Sequence, residues 1–175
     1  MNLLDSYMFR KSAVLHIWSR IAIVFALLVI MVAISGAQSS ISAVPRIFAP
    51  LLQGPENTKL RKLADQLYDE ASFSRLSSID RKNFNSQLMA EIRNKGGILK
   101  EAMVNDPEAY FQMALVFLLD MERISKMGST TERSAMVYAY PDKIKGYLTK
   151  YVTLAPNGRF VATAQKILSA SAKNK

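Results

Sequence analysis

The sequence predicts an all-α protein: one N-terminal transmembrane helix followed by a small helical bundle or a repeat-like helical-hairpin domain. Three observations carry this expectation. Residues 21–37 hold no charge, and Ile21–Ile34 is wholly apolar. From Glu56 onward, apolar side chains recur at three- and four-residue spacing, with no convincing alternating run. Caps, prolines and glycines then divide that stretch into five or six short helices with brief connections.

The apolar stretch comes first. Seventeen residues at about 1.5 Å rise make roughly 26 Å of helix, close to the roughly 30 Å hydrocarbon core of a bilayer. Trp18 suits the aromatic belt at a membrane interface, and Arg20 closes the span. Ile21 and Ile34 bound its apolar core. Arg10, Lys11 and Arg20 precede it, while Arg46 is the nearest cation after it. That asymmetry predicts a cytosolic tail over 1–20, an anchor over 21–37 and an exported chain beyond, periplasmic in a cell whose inner membrane it spans. A cleaved signal peptide is the rival reading. Ile21–Ile34 fits an apolar h-region and Ser35-Gly36-Ala37 resembles a cleavage tripeptide, but the preceding 20 residues are long for an n-region.

Residues 38–55 read as a stalk, since Pro45, Pro50 and Pro55 oppose a continuous helix. Ile47, Phe48, Leu51 and Leu52 are too apolar for a free linker, so they are expected to fold back on the domain or onto a neighbouring membrane protein. The all-α extracytoplasmic domain is placed at 56–175. Its first helix is expected to include Leu60, Leu63, Ala64, Leu67, Tyr68 and Ala71. Asp80 is read as the cap of a second, with Phe84, Leu88, Met89 and Ile92 inward and Lys95-Gly96-Gly97 as its end. Asp106-Pro107-Glu108 opens a third helix, which Gly128 stops. Ser129 and Glu132 supply a capping box for the fourth. Pro141 is expected to interrupt it, giving a further helix from Asp142 to Leu154, and Arg159 to about Ser171 closes the fold.

Composition narrows the chemistry. Cysteine is absent, and the single histidine, His16, lies on the predicted tail. Thiol chemistry, thiolate metal sites and imidazole catalysis in the main domain are therefore excluded. No phosphate-cradling glycine loop, paired-histidine zinc motif or nucleophile elbow occurs. Asp69/Glu70 and Asp120/Glu122 are the carboxylate pairs available for acid–base work, but neighbours at these spacings diverge around a helix. No cofactor or metal is expected, and an enzyme of the cell envelope built on carboxylates is the least favoured function.

Residues 38–142 carry 13 Lys/Arg against 13 Asp/Glu, whereas 143–175 carry seven cations and no acid. Such a field suits an acidic protein face or anionic lipid, or is a solvated surface; nucleic acid is not expected. Tyr140, Tyr147 and Tyr151 share one helical stripe beside this charge, with Phe160 near. Together with Lys150, Arg159 and Lys166 they form the candidate partner-binding set. Ala109–Leu119 is apolar all round except for Gln112, so it is either the central core helix or a helix with one face covered by a partner subunit.

The segment Tyr147-Leu148-Thr149-Lys150-Tyr151-Val152-Thr153-Leu154-Ala155-Pro156-Asn157-Gly158 resembles the close of a tetratricopeptide repeat. Asp106-Pro107-Glu108-Ala109-Tyr110, with Ala114, is similar to a repeat's first helix. Some 48 residues lie between Pro107 and Pro156, against the family's period of about 34. Ile144 and Tyr151 stand where small residues are usual. The resemblance covers 106–170 and implies a repeat-like hairpin that binds protein or peptide on a concave face. The function expected is thus a membrane-anchored helical interaction module, an accessory or assembly subunit of a membrane complex. A binder of anionic lipid or a small ligand is the alternative.

Overall fold

Helix packing begins earlier in the chain than the stalk reading places it. The structure, a computed structural model, describes residues 46–172. The expected tail, the anchor with Trp18, Arg20, Ile21 and Ile34, and the first part of the stalk lie outside the described residues. Arg46–Phe48 forms a 3₁₀ turn that leads into α1 (Ala49–Leu52). Ile47, Phe48, Leu51 and Leu52 are all buried in the main core, so of their two expected destinations they take the domain. Gly54 then turns the chain with φ of 93°, a conformation that L side chains rarely adopt.

Six further helices follow: α2 (Thr58–Tyr68), α3 (Glu70–Ser74), α4 (Ser78–Ala102), α5 (Glu108–Met127), α6 (Thr130–Leu154) and α7 (Val161–Ala172). Among the described residues the protein is all-helical, without a strand. No helix among them is long and apolar enough to cross a membrane.

Several helix starts follow the side-chain chemistry read from the sequence. The Asp106 carboxylate accepts the Glu108 N–H at 2.8 Å. Ser129 and Glu132 exchange hydrogen bonds as a capping box. Gly128 ends α5, and a Cβ there would meet the Ile124 carbonyl oxygen at 2.6 Å.

Four expected boundaries are corrected. The first amphipathic run breaks at Asp69, whose extended backbone and side-chain bond to the Ala71 N–H start α3. Ser77, not Asp80, caps α4, and it does so by accepting the Asp80 N–H at 3.2 Å. Neither Gly96-Gly97 nor Pro141 ends a helix: α4 runs on to Ala102 and α6 to Leu154. Burial accounts for both. Ile92 and Leu99 are anchored on either side of the glycines, and Met136 and Ile144 on either side of the proline. Burying one such side chain is worth about 1.5–3 kcal/mol, enough to offset a glycine's cost of about 1 kcal/mol and, summed over both flanks, a proline's of about 3.

An added Cβ at Gly96 or Gly97 meets nothing within 4 Å. The double substitution Gly96→Ala/Gly97→Ala is therefore expected to raise unfolding free energy by about 1–2 kcal/mol, read as a higher urea midpoint. A helix that ended at these residues would be weakened instead.

The core centres on α5. Phe111, Ala114, Leu115 and Leu119 are at most 1% exposed. The principal contacts run between chain neighbours, α4 with α5, α5 with α6 and α6 with α7, while α1 covers α5 and α2 packs on α4. At the end of α5, the Lys126 ammonium donates to the Leu67 carbonyl at 2.8 Å and pairs with Glu70. It also sits 5.1 Å from the centre of the Phe73 ring. Glu122 is buried beside it, 3.7 Å from the Lys126 amine. Burial pushes the Glu122 carboxyl up, against the pull of Lys126.

Candidate functional site

The seam between α5 and α6 brings four half-buried aromatic rings together. The two helices run antiparallel from the tight Gly128-Ser129 turn, so residues near the start of α5 face residues near the end of α6. On α5, Tyr110 and Phe117 stand seven positions apart and so share a face. On α6, Tyr140 and Tyr147 do the same. The four rings interleave: Tyr110 to Tyr147 at 6.4 Å, Tyr147 to Phe117 at 5.7 Å, and Phe117 to Tyr140 edge-on at 5.0 Å between centroids. All four are half-buried. Their inner edges complete the core and their outer edges meet water. The Lys143 ammonium lies over Phe117, 5.3 Å from the ring centre, and 6.0 Å from that of Tyr140.

One end of this ladder is fixed by a buried ionic knot. The Tyr140 hydroxyl donates to Asp120 at 2.5 Å. Burial, then the bond and charge of Asp120, push the Tyr140 phenol well up, so it remains a neutral donor. Asp120 also pairs with Arg123 at 2.5 Å. The Arg123 side chain is only 3% exposed. It also donates to Asn85 of α4 at 2.8 Å and to Glu132 of α6 at 3.4 Å. At the other end, Arg159 grips Glu108 with two nitrogens, at 2.7 and 3.0 Å.

The candidate residues from the sequence divide into three groups. Tyr140 and Tyr147 belong to the ladder, and Lys150 stands exposed one turn beyond Tyr147. Tyr151 and Phe160 are brought together, but inward. Tyr151 is wholly buried and its hydroxyl accepts the Phe160 N–H at 3.0 Å. Phe160 stacks on Phe111 at 4.7 Å. Tyr151, expected as a contact residue, packs its ring against Phe111 on α5, 5.4 Å between centroids. Arg159 is occupied by Glu108, and Lys166 is exposed on α7.

Sequence reasoning missed Phe117, Tyr110 and Lys143 as members of the set. The seven-residue interval between Tyr110 and Phe117, matching that between Tyr140 and Tyr147, was the available signal.

Within each carboxylate pair named for acid–base work the two members go to different partners, although Glu70 and Glu122, one from each pair, meet at Lys126. Asp69 bonds the Ala71 N–H and the Ser72 hydroxyl, and Glu70 pairs with Lys126. Asp120 turns to Arg123, whereas Glu122 turns to Lys126. Among the described residues no group of three His, Cys, Asp or Glu could hold a metal ion. No protein-family model, curated protein or solved structure matches this chain.

Proposed function

We propose that the chain is a membrane-anchored helical protein-interaction module, acting as an accessory or assembly subunit of a larger membrane complex. The observation that carries this reading is the half-buried aromatic ladder of Tyr110, Phe117, Tyr140 and Tyr147, which sits beside exposed lysines. Aromatic side chains with one packed edge and one wet edge are favourable contact material, because little side-chain freedom remains to be lost on binding. The serial packing of α4 to α7 supports the repeat-like hairpin reading within the all-α fold. The apolar stretch over 21–37 would hold the domain at the inner membrane with the N-terminus cytosolic. Confinement of that kind raises its effective concentration toward other membrane-held proteins.

The test is purification of the full-length chain in mild detergent, with mass measurement of the eluted particle. A stoichiometric membrane protein is expected to co-elute, and deleting residues 1–37 is expected to reduce its recovery. A chain that elutes alone as a monomer would count against the reading.

A second reading, binding of anionic lipid or a small anionic ligand, is favoured by the α4–α5 turn. Val104 is 80% exposed there, with Ile98 and Lys100 close before it in the chain. Salt-reversible flotation with anionic vesicles would support it.

A further inference from the structure

Resting on the interaction reading above, we infer that the α5–α6 seam binds a short acidic peptide segment of a partner protein. The segment would lie extended along the ladder, with an apolar side chain on the Tyr147–Phe117 rings and a carboxylate at each end.

The charge balance around the ladder sets the chemistry. Its two bordering acids are spent internally, Asp120 on Arg123 and Tyr140, and Glu108 on Arg159. Lys143 and Lys150, by contrast, form no ion pair among the described residues. Asp142, next to Lys143 in sequence, projects to a different side of α6. Lys143, Tyr147 and Lys150 stand at i, i+4 and i+7 and so share one side of the helix. The field offered to a ligand at the seam is therefore positive on the α6 side, next to wet aromatic edges.

Spacing sets the length. Seven helical residues place Lys143 and Lys150 roughly 10 Å apart along α6. In an extended peptide, side chains four residues apart share one face about 13 Å apart, within reach of two flexible lysine side chains. The segment that fits is thus acid, polar, apolar, polar, acid, with both acids and the central apolar side chain on one face. A bilayer surface meets protruding tips more readily than rings recessed between two helices, which favours a peptide over a lipid headgroup.

The experiment uses the full-length chain in phosphatidylcholine nanodiscs. Fluorescein-labelled peptides with a central Glu-Ser-Phe-Ser-Glu or Lys-Ser-Phe-Ser-Lys core are titrated by anisotropy. The acidic peptide is expected to bind and the basic one to bind far more weakly. Both lysines are exposed, so K143E/K150E is expected to keep its helical circular dichroism. It should weaken the acidic peptide about tenfold and strengthen the basic one. Absence of acidic-peptide binding, or binding that the double substitution leaves unchanged, overturns the inference. So does a lysine-dependent association seen with phosphatidylglycerol vesicles but not with the peptide. The two readings fail separately. A partner that still co-elutes with K143E/K150E, when the peptide does not bind, removes the seam inference alone. A monomeric chain that nonetheless binds the peptide removes the assembly role alone.

Discussion

Arg123→Ala is expected to lower the unfolding free energy by about 3–5 kcal/mol, the cost of removing one partner from a buried ionic cluster. The guanidinium joins three helices, through Asn85 on α4, Asp120 on its own helix and Glu132 on α6. Its loss strands Asp120, whose side chain is 14% exposed. That carboxylate would keep the Tyr140 hydroxyl, a single neutral donor and too little to replace the lost cation. Urea titration reads the effect as a lower midpoint with an unchanged slope. Glu132→Ala is the internal comparison. Its side chain is 40% exposed and its ion pair is long, 3.4 Å, so the lost pair contributes under about 1 kcal/mol, beside a comparable loss from the capping box. Equal effects from the two substitutions would contradict the placement of Arg123 as the centre of the knot.

Phe48→Ala is expected to cost about 3–5 kcal/mol, the range for truncating a wholly buried phenylalanine. Phe48 is 0% exposed and its ring centre lies 5.6 Å from that of Tyr68. Tyr68 belongs to α2, and α1 itself packs on α5, so residues 46–52 join both helices. Were this segment a free linker, the same substitution would move stability by no more than about 0.5 kcal/mol. The urea midpoint separates the two outcomes.

Local chemistry was the legible part of this fold. Asp106, Ser129 and Gly128 announce their boundaries because each bonds or clears backbone within a few residues. The glycine pair and Pro141 gave equally local signals that proved misleading, since burial of Ile92, Leu99, Met136 and Ile144 decides those stretches and is a tertiary quantity. The break at Asp69 was hidden for the opposite reason: the apolar spacing runs through it while the cap redirects the backbone. At the candidate site, the tyrosine stripe and the cationic run of α6 could be read directly. Their counterparts could not. In an α5 that is apolar all round, the seven-residue interval between Tyr110 and Phe117 is the one mark of the line that faces solvent, and the Arg159–Glu108 pair joins residues 51 apart.

Folding of Ile47 and Phe48 into the core also shortens the leash. Under the proposed anchoring, the end of the apolar stretch at Ala37 and the first described residue, Arg46, are separated by eight residues. Whatever their conformation, those eight cannot extend beyond roughly 29 Å. Eighteen residues, the length of the stalk first drawn from the prolines, could have reached roughly 65 Å. A binding partner would therefore have to present its own surface no farther from the headgroups than that tether plus the width of the domain itself, and a target standing taller above the bilayer would be out of reach.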